Sequence, residues 1–597
     1  MQKFLFKLQM LWVLYFKEFF SDIVEPVEKL INSTKTYIVQ HPKESLFVFV
    51  ITLFALILRI TSIAYYGDLW LDELYSWYFA SMNNVFTTVT ELIKQDIHMP
   101  FYFIILHFWI KIFGSSDMSL HFCSLVISLP AVPIIFYVAK NLFNKFSGYS
   151  AAIFLAISTF CVYYSVEARF YGLIIPLALL AAYFFVRMLE TFEKKYFILF
   201  IVFNSLLTYT FASAVLLAFI YILVALAYTF YNAKSQLKIV IKNMAVLFAI
   251  ILPAIIINIF NLIALKSQIC SFTRDIYPFS YSVLYNVLEN YFSNNNISLF
   301  GNTDINFSFT YFVFVCIPII LALIAFIKVF TRTNTKLTLF LLPSLLFMFL
   351  YLFLAVFGLV TLLVKYTILV YPIIICSVCY GFSMFDKKCG LVMFSVLILL
   401  NYSYLFIADK TVLAVRNNEL GNLPHILNDL IKVKDNDLIL IPYSQKRVKR
   451  YISKGKCIPF NADDMLLLKD DYSWDKYLGL NSIDKKTIRE FLHGNIIYDN
   501  PPINFRIVLE NQNIYNMKKG DKFIIISYRD SFTMPLIKNW DILKDDNVYN
   551  NINMFTLMMS KVLKDCFAIA SENLTPEKYY VDEDANYSVY VYVNDKS

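Results

Sequence analysis

Long apolar stretches alternate with short polar ones over most of this chain, and the pattern changes once, near residue 409. A helix needs about 17–25 apolar residues to cross a bilayer core. Runs of that kind predict spans near 46–66, 118–138, 148–164, 170–189, 196–211, 212–232, 243–265, 308–328, 337–357, 360–381 and 389–408. Residues 1–45 hold the Phe-rich stretch FLFKLQMLWVLYFKEFF (Phe4 to Phe20), interrupted by Lys7 and Lys17. Its uninterrupted part is too short to span and it has no small-residue cleavage site. It therefore reads as a cytoplasmic, interfacial amphipathic segment and not as a signal peptide.

One segment decides the topology. HMPFYFIILHFWIKIFG (His98 to Gly114) is apolar but short, opens on His-Met-Pro and carries His107 and Lys111. Taken as a helix lying at the interface, it leaves eleven spans. Loops 139–147, 187–195, 233–242, 328–336 and 382–388 then share one side with 13 Lys and Arg, against Lys94, Lys111, Arg169, Lys266 and Arg274 on the other. The excess of Lys and Arg makes the first side cytoplasmic. The outer face then receives residues 67–117 (a loop with juxtamembrane helices), the turn YYSVEARFY (Tyr163 to Tyr171), loop 266–307 and everything after the last span.

From 411 to 597 the composition is that of a soluble domain. DLILIPY (Asp437 to Tyr443) and KFIIISYRD (Lys522 to Asp530) read as buried strands and SVYVYVND (Ser588 to Asp595) as a closing strand, while RNNELGNLPHILNDLIKV has helical spacing. This predicts a small extracytoplasmic α/β domain that caps a cavity or guides an acceptor. It has no glycine fingerprint for a nucleotide.

Composition narrows the class. The 597 residues are 59% hydrophobic and 16% charged, whereas soluble domains carry about 25% charged residues. The chain is therefore an integral membrane protein, and its net charge of +8 reflects loop lysines near a membrane and not a nucleic-acid surface. No phosphate loop, HExxH or paired CxxC pattern occurs. Most of the nine Cys lie in apolar runs, where they act as small hydrophobes. Cys457 and Cys566, in the polar tail, could pair. The compositional style suggests a bacterial inner membrane.

The chemistry-bearing residues gather on the predicted outer face. In GDLWLDELYSWY (Gly67 to Tyr78), Asp72 and Glu73 sit among Trp70, Leu71, Leu74, Tyr75 and Trp77. If 70–80 is helical, they point about 100° apart, so only one leads into a given cavity. Apolar rings raise the basicity of a carboxylate, which suits a general base; a solvated acidic loop is the alternative. In QDIHMPFYF, Asp96 either caps the following helix or, with His98, supplies a second polar group opposing Asp72. Glu167 and Arg169 lie between two spans. Arg169 is either an interface anchor or a two-pronged phosphate ligand. Within the spans, apart from Arg187 and Lys328 where spans run into loops, Arg59 and Lys365 are the only cations, both near outer ends. An intramembrane charge costs on the order of 2.5–3.5 kcal/mol at a helix centre and less near an end. Three outer cations beside an acidic cluster suit an anionic lipid headgroup.

Three stretches in order, LRITSIAYYGDLWLDELYSWY, DIHMPFYFIILHFWIKIFG and YYSVEARFYGLIIPLALLAAYFF, resemble the membrane glycosyltransferases of the GT-C fold. The resemblance is to the broad group of the protein O-mannosyltransferases and the lipid A aminoarabinose transferases (glycosyltransferase family 39-like), and it covers 46–410. It implies a polytopic α-helical membrane domain with about 11 transmembrane helices and a polyprenyl-phosphate sugar donor. Transfer would be inverting, at the extracytoplasmic face, to a lipid, glycan or protein. Asp72 would be the base with Glu73 beside it, and Asp96 and His98 fall on the family's Asp-x-His-Pro-Pro segment. Arg169 and Lys365 would hold the donor phosphate, with Glu167, Tyr164 and Arg59 in the substrate-binding set. Met99 replaces the first proline of the motif, and Lys365 stands where relatives often carry Arg. No cofactor is required, although Asp72, Glu73, Asp96 and His98 could bind a divalent cation. A hexosyl- or pentosyltransferase is the primary reading. A transporter or flippase, or a polymerase or ligase for lipid-linked glycans, is the alternative.

Overall fold

The computed structural model describes residues 39–64, 69, 71–265, 282–292, 312–331, 334–357, 360, 362–407, 423–441, 454–459, 517–528, 573–582 and 587–595, with a few single residues besides. The expected interfacial stretch Phe4–Phe20 and the Cys457–Cys566 side chains lie outside the described residues. The chain forms two compact units, 1–66 with 76–415, and 67–75 with 416–597.

The first unit is helical. Its helices, in chain order, are α1 (Pro42–Ala64), α2 (Leu71–Ala80, entering this unit at Ser76), α3 (Val85–Gln95), α4 (Phe101–Phe113), α5 (Asp117–Ser128), α6 (Ala131–Leu142), α7 (Lys145–Ile157) and α8 (Thr159–Val166). They continue as α9 (Tyr171–Thr191), α10 (Lys194–Thr208), α11 (Ala214–Asn232), α12 (Leu237–Leu265), α13 (Ser282–Phe292), α14 (Ile317–Val329), α15 (Thr335–Val356), α16 (Tyr371–Ser383) and α17 (Lys387–Ile407). Six spans are long and apolar enough to cross a membrane, or seven if the bent pair α7–α8 is one span. The other expected spans fall on α10, α14, α16 and α17.

The helices start where polar side chains can take their unpaired N–H groups. Asn84 accepts from the Thr87 amide at 2.9 Å, Asn144 from Ser147 at 2.9 Å and Asn334 from Lys336 at 3.0 Å. α9 is apolar all round and runs through the middle, with 89% of its apolar window buried in protein, against 22% for α1. Along it pack α5, α6, α10, α15 and α16.

Two expected spans differ in detail. The stretch 148–164 is not one straight helix: it breaks at Ser158, and α8 leaves α7 at 59°. The stretch 360–381 opens as a 3-10 turn, Val364–Leu369, before α16 begins. Loop 266–307 contains α13, while the helix expected over 70–80 is α2 and the one expected within 98–114 is α4.

The end that carries the lysine-rich loops is cross-linked. Buried Glu44 takes Lys140 and, at 3.1 Å, Lys145; Glu190 takes Arg187 at 2.8 Å and Lys336 at 3.1 Å. Backbones touch there as well. A Cβ on Gly381 of α16 would lie 1.9 Å from the Ala325 carbonyl oxygen of α14, and one on Gly390 of α17 would lie 2.1 Å from that of Phe382.

In the second unit, a five-stranded sheet comprises β1 (Leu438–Ile441), β2 (Lys456–Pro459), β3 (Lys522–Tyr528), β4 (Thr575–Asp582) and β5 (Tyr587–Val593) in the order β2-β1-β3-β5-β4. β1 pairs in parallel with β2 and β3, whereas β5 is antiparallel to β3 and β4. Buried Asp437 ties the first two central strands together, accepting from the Lys522 and Lys434 amides at 2.8 and 2.7 Å. Leu427, Ile431, Ile439, Ile524 and Val591 form the core on one face.

Replacing a mid-helix glycine by alanine normally stabilises by roughly 0.5–1 kcal/mol. At Gly381 the sign reverses, because a backbone oxygen occupies the space and crowding costs about 1–3 kcal/mol. Gly381→Ala is expected to lower the thermal unfolding midpoint in detergent; a raised midpoint would contradict the close approach of α14 and α16.

Candidate functional site

The break at Ser158 creates the site. α8 is two turns long, and after Val166 the chain reverses through residues 167–170 into α9. The reversal is held from outside. His121 donates from Nδ1 to the Val166 carbonyl at 2.9 Å, and Ser128 Oγ reaches the Ser165 carbonyl at 3.3 Å. It can be this tight because Gly172 opens α9: a Cβ there would stand 3.0 Å from Ser128 Cβ and 3.2 Å from the Tyr164 carbonyl. Within the turn, the Arg169 amide bonds the Glu167 carbonyl at 2.6 Å. Both side chains are buried, with Arg169 1% exposed.

Arg169 faces the segment between α3 and α4. Its Nη2 lies 2.9 Å from His98 Nε2, and its Nη1 is 3.3 Å from Ser76 Oγ. Its guanidinium sits over the Phe170 ring, 5.2 Å from the centroid. His98 Nδ1 is 2.5 Å from Asp96 Oδ1, which also accepts from the Ile97 and His98 amides at 2.6 and 3.2 Å. Asp96 is therefore not the cap of α4, which starts five residues later with Pro100 at its N-cap position. It ends α3 and turns its carboxylate back on its own chain. Burial favours the neutral acid, but His98, Arg169 and the Ile97 amide together hold the carboxyl below its ordinary value of 3.8.

A second group forms on the other side of the turn. The half-buried Lys365, on the 3-10 turn ahead of α16, has its Nζ 5.9 Å from the Tyr171 ring centroid. Tyr171 packs edge-on against Tyr164 at 5.2 Å, and Glu167 and Lys365 both lie within electrostatic reach of the Tyr164 hydroxyl. That hydroxyl is buried and has no hydrogen-bond partner among the described residues. The 3-10 turn is anchored by Tyr291 of α13, whose hydroxyl donates to the Thr367 carbonyl at 2.8 Å.

The other expected residues divide. Arg59 is buried, and its Nη1 donates to the Ala55 carbonyl at 3.1 Å and to the Ala156 carbonyl at 3.2 Å. It thus serves the break between α7 and α8. Asp72 and Glu73 occupy the first turn of α2, Asp72 half-buried and Glu73 buried, within the segment 67–75 that belongs to the second unit. Among the described residues no three His, Cys, Asp or Glu come close enough to hold a metal ion.

Three contributors escaped the sequence reading: Ser76, Tyr171 and His121. Ser76 had a signal, since it lies three and four residues after Glu73 and Asp72 and hence on the same side of a helix. His121 had none, because only the fold brings it to a carbonyl 45 residues away.

Residues 97–257 match the sequence profile of the family described as dolichyl-phosphate-mannose-protein mannosyltransferase. That range carries His98, Tyr164, Glu167 and Arg169. No curated protein matches the chain. Among solved structures, the chain is similar to ArnT from Cupriavidus metallidurans in the apo state, with a TM-score of 0.51 at 10% identity over 93% of this chain and 98% of that one. It is equally similar to the same protein bound to undecaprenyl phosphate, with a TM-score of 0.51 at 9% identity over 92% and 98%. At such identities the likeness is one of fold, and the fold is that of the GT-C membrane glycosyltransferases.

Two expectations follow. Arg59→Met leaves the Ala156 carbonyl without its donor in an apolar interior, an effect of about 1–3 kcal/mol. Thermal unfolding should shift down; an unchanged midpoint would show that Arg59 does not satisfy that carbonyl. For Asp96 the folded pKa is depressed, so its stabilisation is complete above the ordinary carboxylate value and is lost as pH falls through the lower folded one. The stability gap between wild type and Asp96→Asn should therefore be flat at neutral pH and narrow only below about pH 4. A gap that closes near pH 6 would show a carboxyl raised by burial and not lowered by its partners.

Proposed function

We propose that the protein is a membrane glycosyltransferase that moves a hexose or pentose from a polyprenyl-phosphate donor to a lipid, glycan or protein acceptor. Counting α10, α14, α16 and α17 as crossings gives the eleven-span topology, in which the turn 167–170 and the second unit are extracytoplasmic. A bacterial inner membrane is the setting that suits this arrangement.

The observation that carries the proposal is the pair of cations around one short turn. Arg169 lies over the Phe170 ring and Lys365 beside the ring of the next residue, Tyr171, whose partner Tyr164 has a buried hydroxyl with a hydrogen bond to give. A lipid phosphate needs such neutralising donors most when it departs, because charge builds on its oxygen as the bond to the sugar breaks. That ArnT from Cupriavidus metallidurans binds undecaprenyl phosphate within the same fold supports this donor class.

In the proposed reaction, the acceptor hydroxyl attacks the anomeric carbon and its proton passes to Asp72, with Glu73 next to it in the helix. The carbon–oxygen bond to phosphate breaks with inversion, and polyprenyl phosphate leaves against Arg169 and Lys365. The second unit includes the segment bearing Asp72 and is the candidate for guiding the acceptor. A transporter or flippase would move the lipid without breaking this bond, so the two readings differ in product.

The test is release of free polyprenyl phosphate from a panel of polyprenyl-phosphate hexoses and pentoses, in nanodiscs with extracted lipid acceptors. Wild type should release it. Asp72→Asn should lower turnover by about 10²–10⁴-fold, the usual contribution of a general base, and Lys365→Ala should raise the donor KM. Equal turnover by Asp72→Asn would remove it as the base; no release by folded wild type from any donor would favour lipid movement over transfer.

A further inference from the structure

We infer that His98 is a hydrogen-bond acceptor of fixed tautomer, anchored by Asp96, whose task is to position Arg169. The pair would otherwise pass for a proton-transfer dyad. The inference rests on the reading above only in taking Arg169 to meet the donor phosphate.

Bond polarity decides the matter. A guanidinium has donors and no acceptor, so the 2.9 Å contact from Arg169 Nη2 requires a lone pair on His98 Nε2. The ring proton must then sit on Nδ1, where it is donated to Asp96 Oδ1 at 2.5 Å. The carboxylate is fixed in turn, since the same oxygen takes the Ile97 and His98 amides. The imidazole lies 5.2 Å, centroid to centroid, from the Phe170 ring, which also lies under the guanidinium. Every polar atom of the imidazole is therefore committed. A general base at Nε2 would need that lone pair free for a substrate hydroxyl, and a general acid would need a proton there; the geometry supplies neither. What it supplies is polarisation. The Asp96 charge, passed through Nδ1–H, strengthens Nε2 as an acceptor, and the acceptor fixes the plane and direction of one prong of the guanidinium. Ser76 Oγ, at 3.3 Å from Nη1, steadies another.

The readout is chosen to separate positioning from folding. Full-length protein in nanodiscs is measured by equilibrium binding of undecaprenyl phosphate, by donor KM and kcat, and by thermal unfolding, for wild type, His98→Leu, His98→Gln and Asp96→Asn. Loss of a hydrogen bond to a charged group predicts about 10- to 100-fold weaker binding and higher donor KM in His98→Leu, with a smaller change in kcat. His98→Gln can offer its carbonyl oxygen near the place of Nε2 and should recover most of the loss, while Asp96→Asn should fall between. Binding to wild type should also weaken at pH low enough to protonate His98, because an Nε2–H would then face the guanidinium. His98→Gln should lack that pH dependence. Equal losses in His98→Leu and His98→Gln, a collapse of kcat at unchanged KM, or a pH dependence that survives in His98→Gln would each overturn the inference. Wild type that fails to bind undecaprenyl phosphate would overturn it with its premise. Binding that follows the predicted order without any sugar transfer would sink the transferase reading and leave the positioning role standing.

Discussion

A backbone carbonyl released inside an apolar bundle must find a donor within the protein, because no water is at hand to supply one. The break at Ser158 releases such groups at the end of α7, and much of the first unit is arranged around satisfying them. Arg59 reaches across from α1 to the Ala156 carbonyl. Ser158 caps α8 and shares a 2.7 Å hydrogen bond with the Tyr371 hydroxyl at the start of α16. His121 closes the far end of α8. Without the 59° bend the chain would leave the bundle on a straight course. With it, the chain reverses at once into α9, and Arg169 is presented on a turn whose two flanking helices are both buried.

A buried guanidinium is held in place by what surrounds it. The charge on Arg169 is answered by an ionised Asp96 one imidazole away, and by the Phe170 ring face beneath it. This arrangement gives strength without mobility, since both imidazole nitrogens and the Asp96 Oδ1 that faces them are held by a neighbour. Lys365 differs. It is half-buried, lies against aromatic rings on a 3-10 turn, and carries a point charge that accepts an oxygen from many directions. The two cations are therefore unlike: the guanidinium is held in one orientation, and the ammonium has no such fork to orient.

The apolar rhythm of the chain was enough to read the helices and the change of character near residue 409, because burial in lipid and in protein draws on the same residue types. It could not locate the break at Ser158, which depends on hydrogen-bond partners contributed by residues 59 and 371. In the second unit, β1, β3 and β5 were legible and β2 and β4 were not. The legible strands are the inner ones of the sheet, apolar on alternate or all positions. The others are its edges, where one side meets solvent and the sequences KCIP and TPEKYYVD carry Pro, Lys and Glu, as edges do to discourage further pairing. At the site, residue types announced Asp96 and His98 as polar groups opposite Asp72 and Arg169 as a phosphate ligand, but the meeting of His98 with Arg169, and the direction of each hydrogen bond, is a property of distances alone.

The contacts of Gly381 and Gly390 have a mechanical meaning. Where helices meet backbone to backbone, with no side chain between them to repack, their spacing is nearly incompressible. The Glu44 and Glu190 ion pairs clamp the same end of the bundle from outside. At the opposite end the helices are joined through hydroxyls, ring edges and one 3-10 turn, all of which tolerate small rotations. The root is thus stiff, and at the other end the close contact of Gly172 with Ser128 and Tyr164 holds the turn 167–170. Arg169, tied to His98 and Ser76, keeps its direction, so any adjustment at that end falls to Lys365 on its 3-10 turn while the frame keeps its shape.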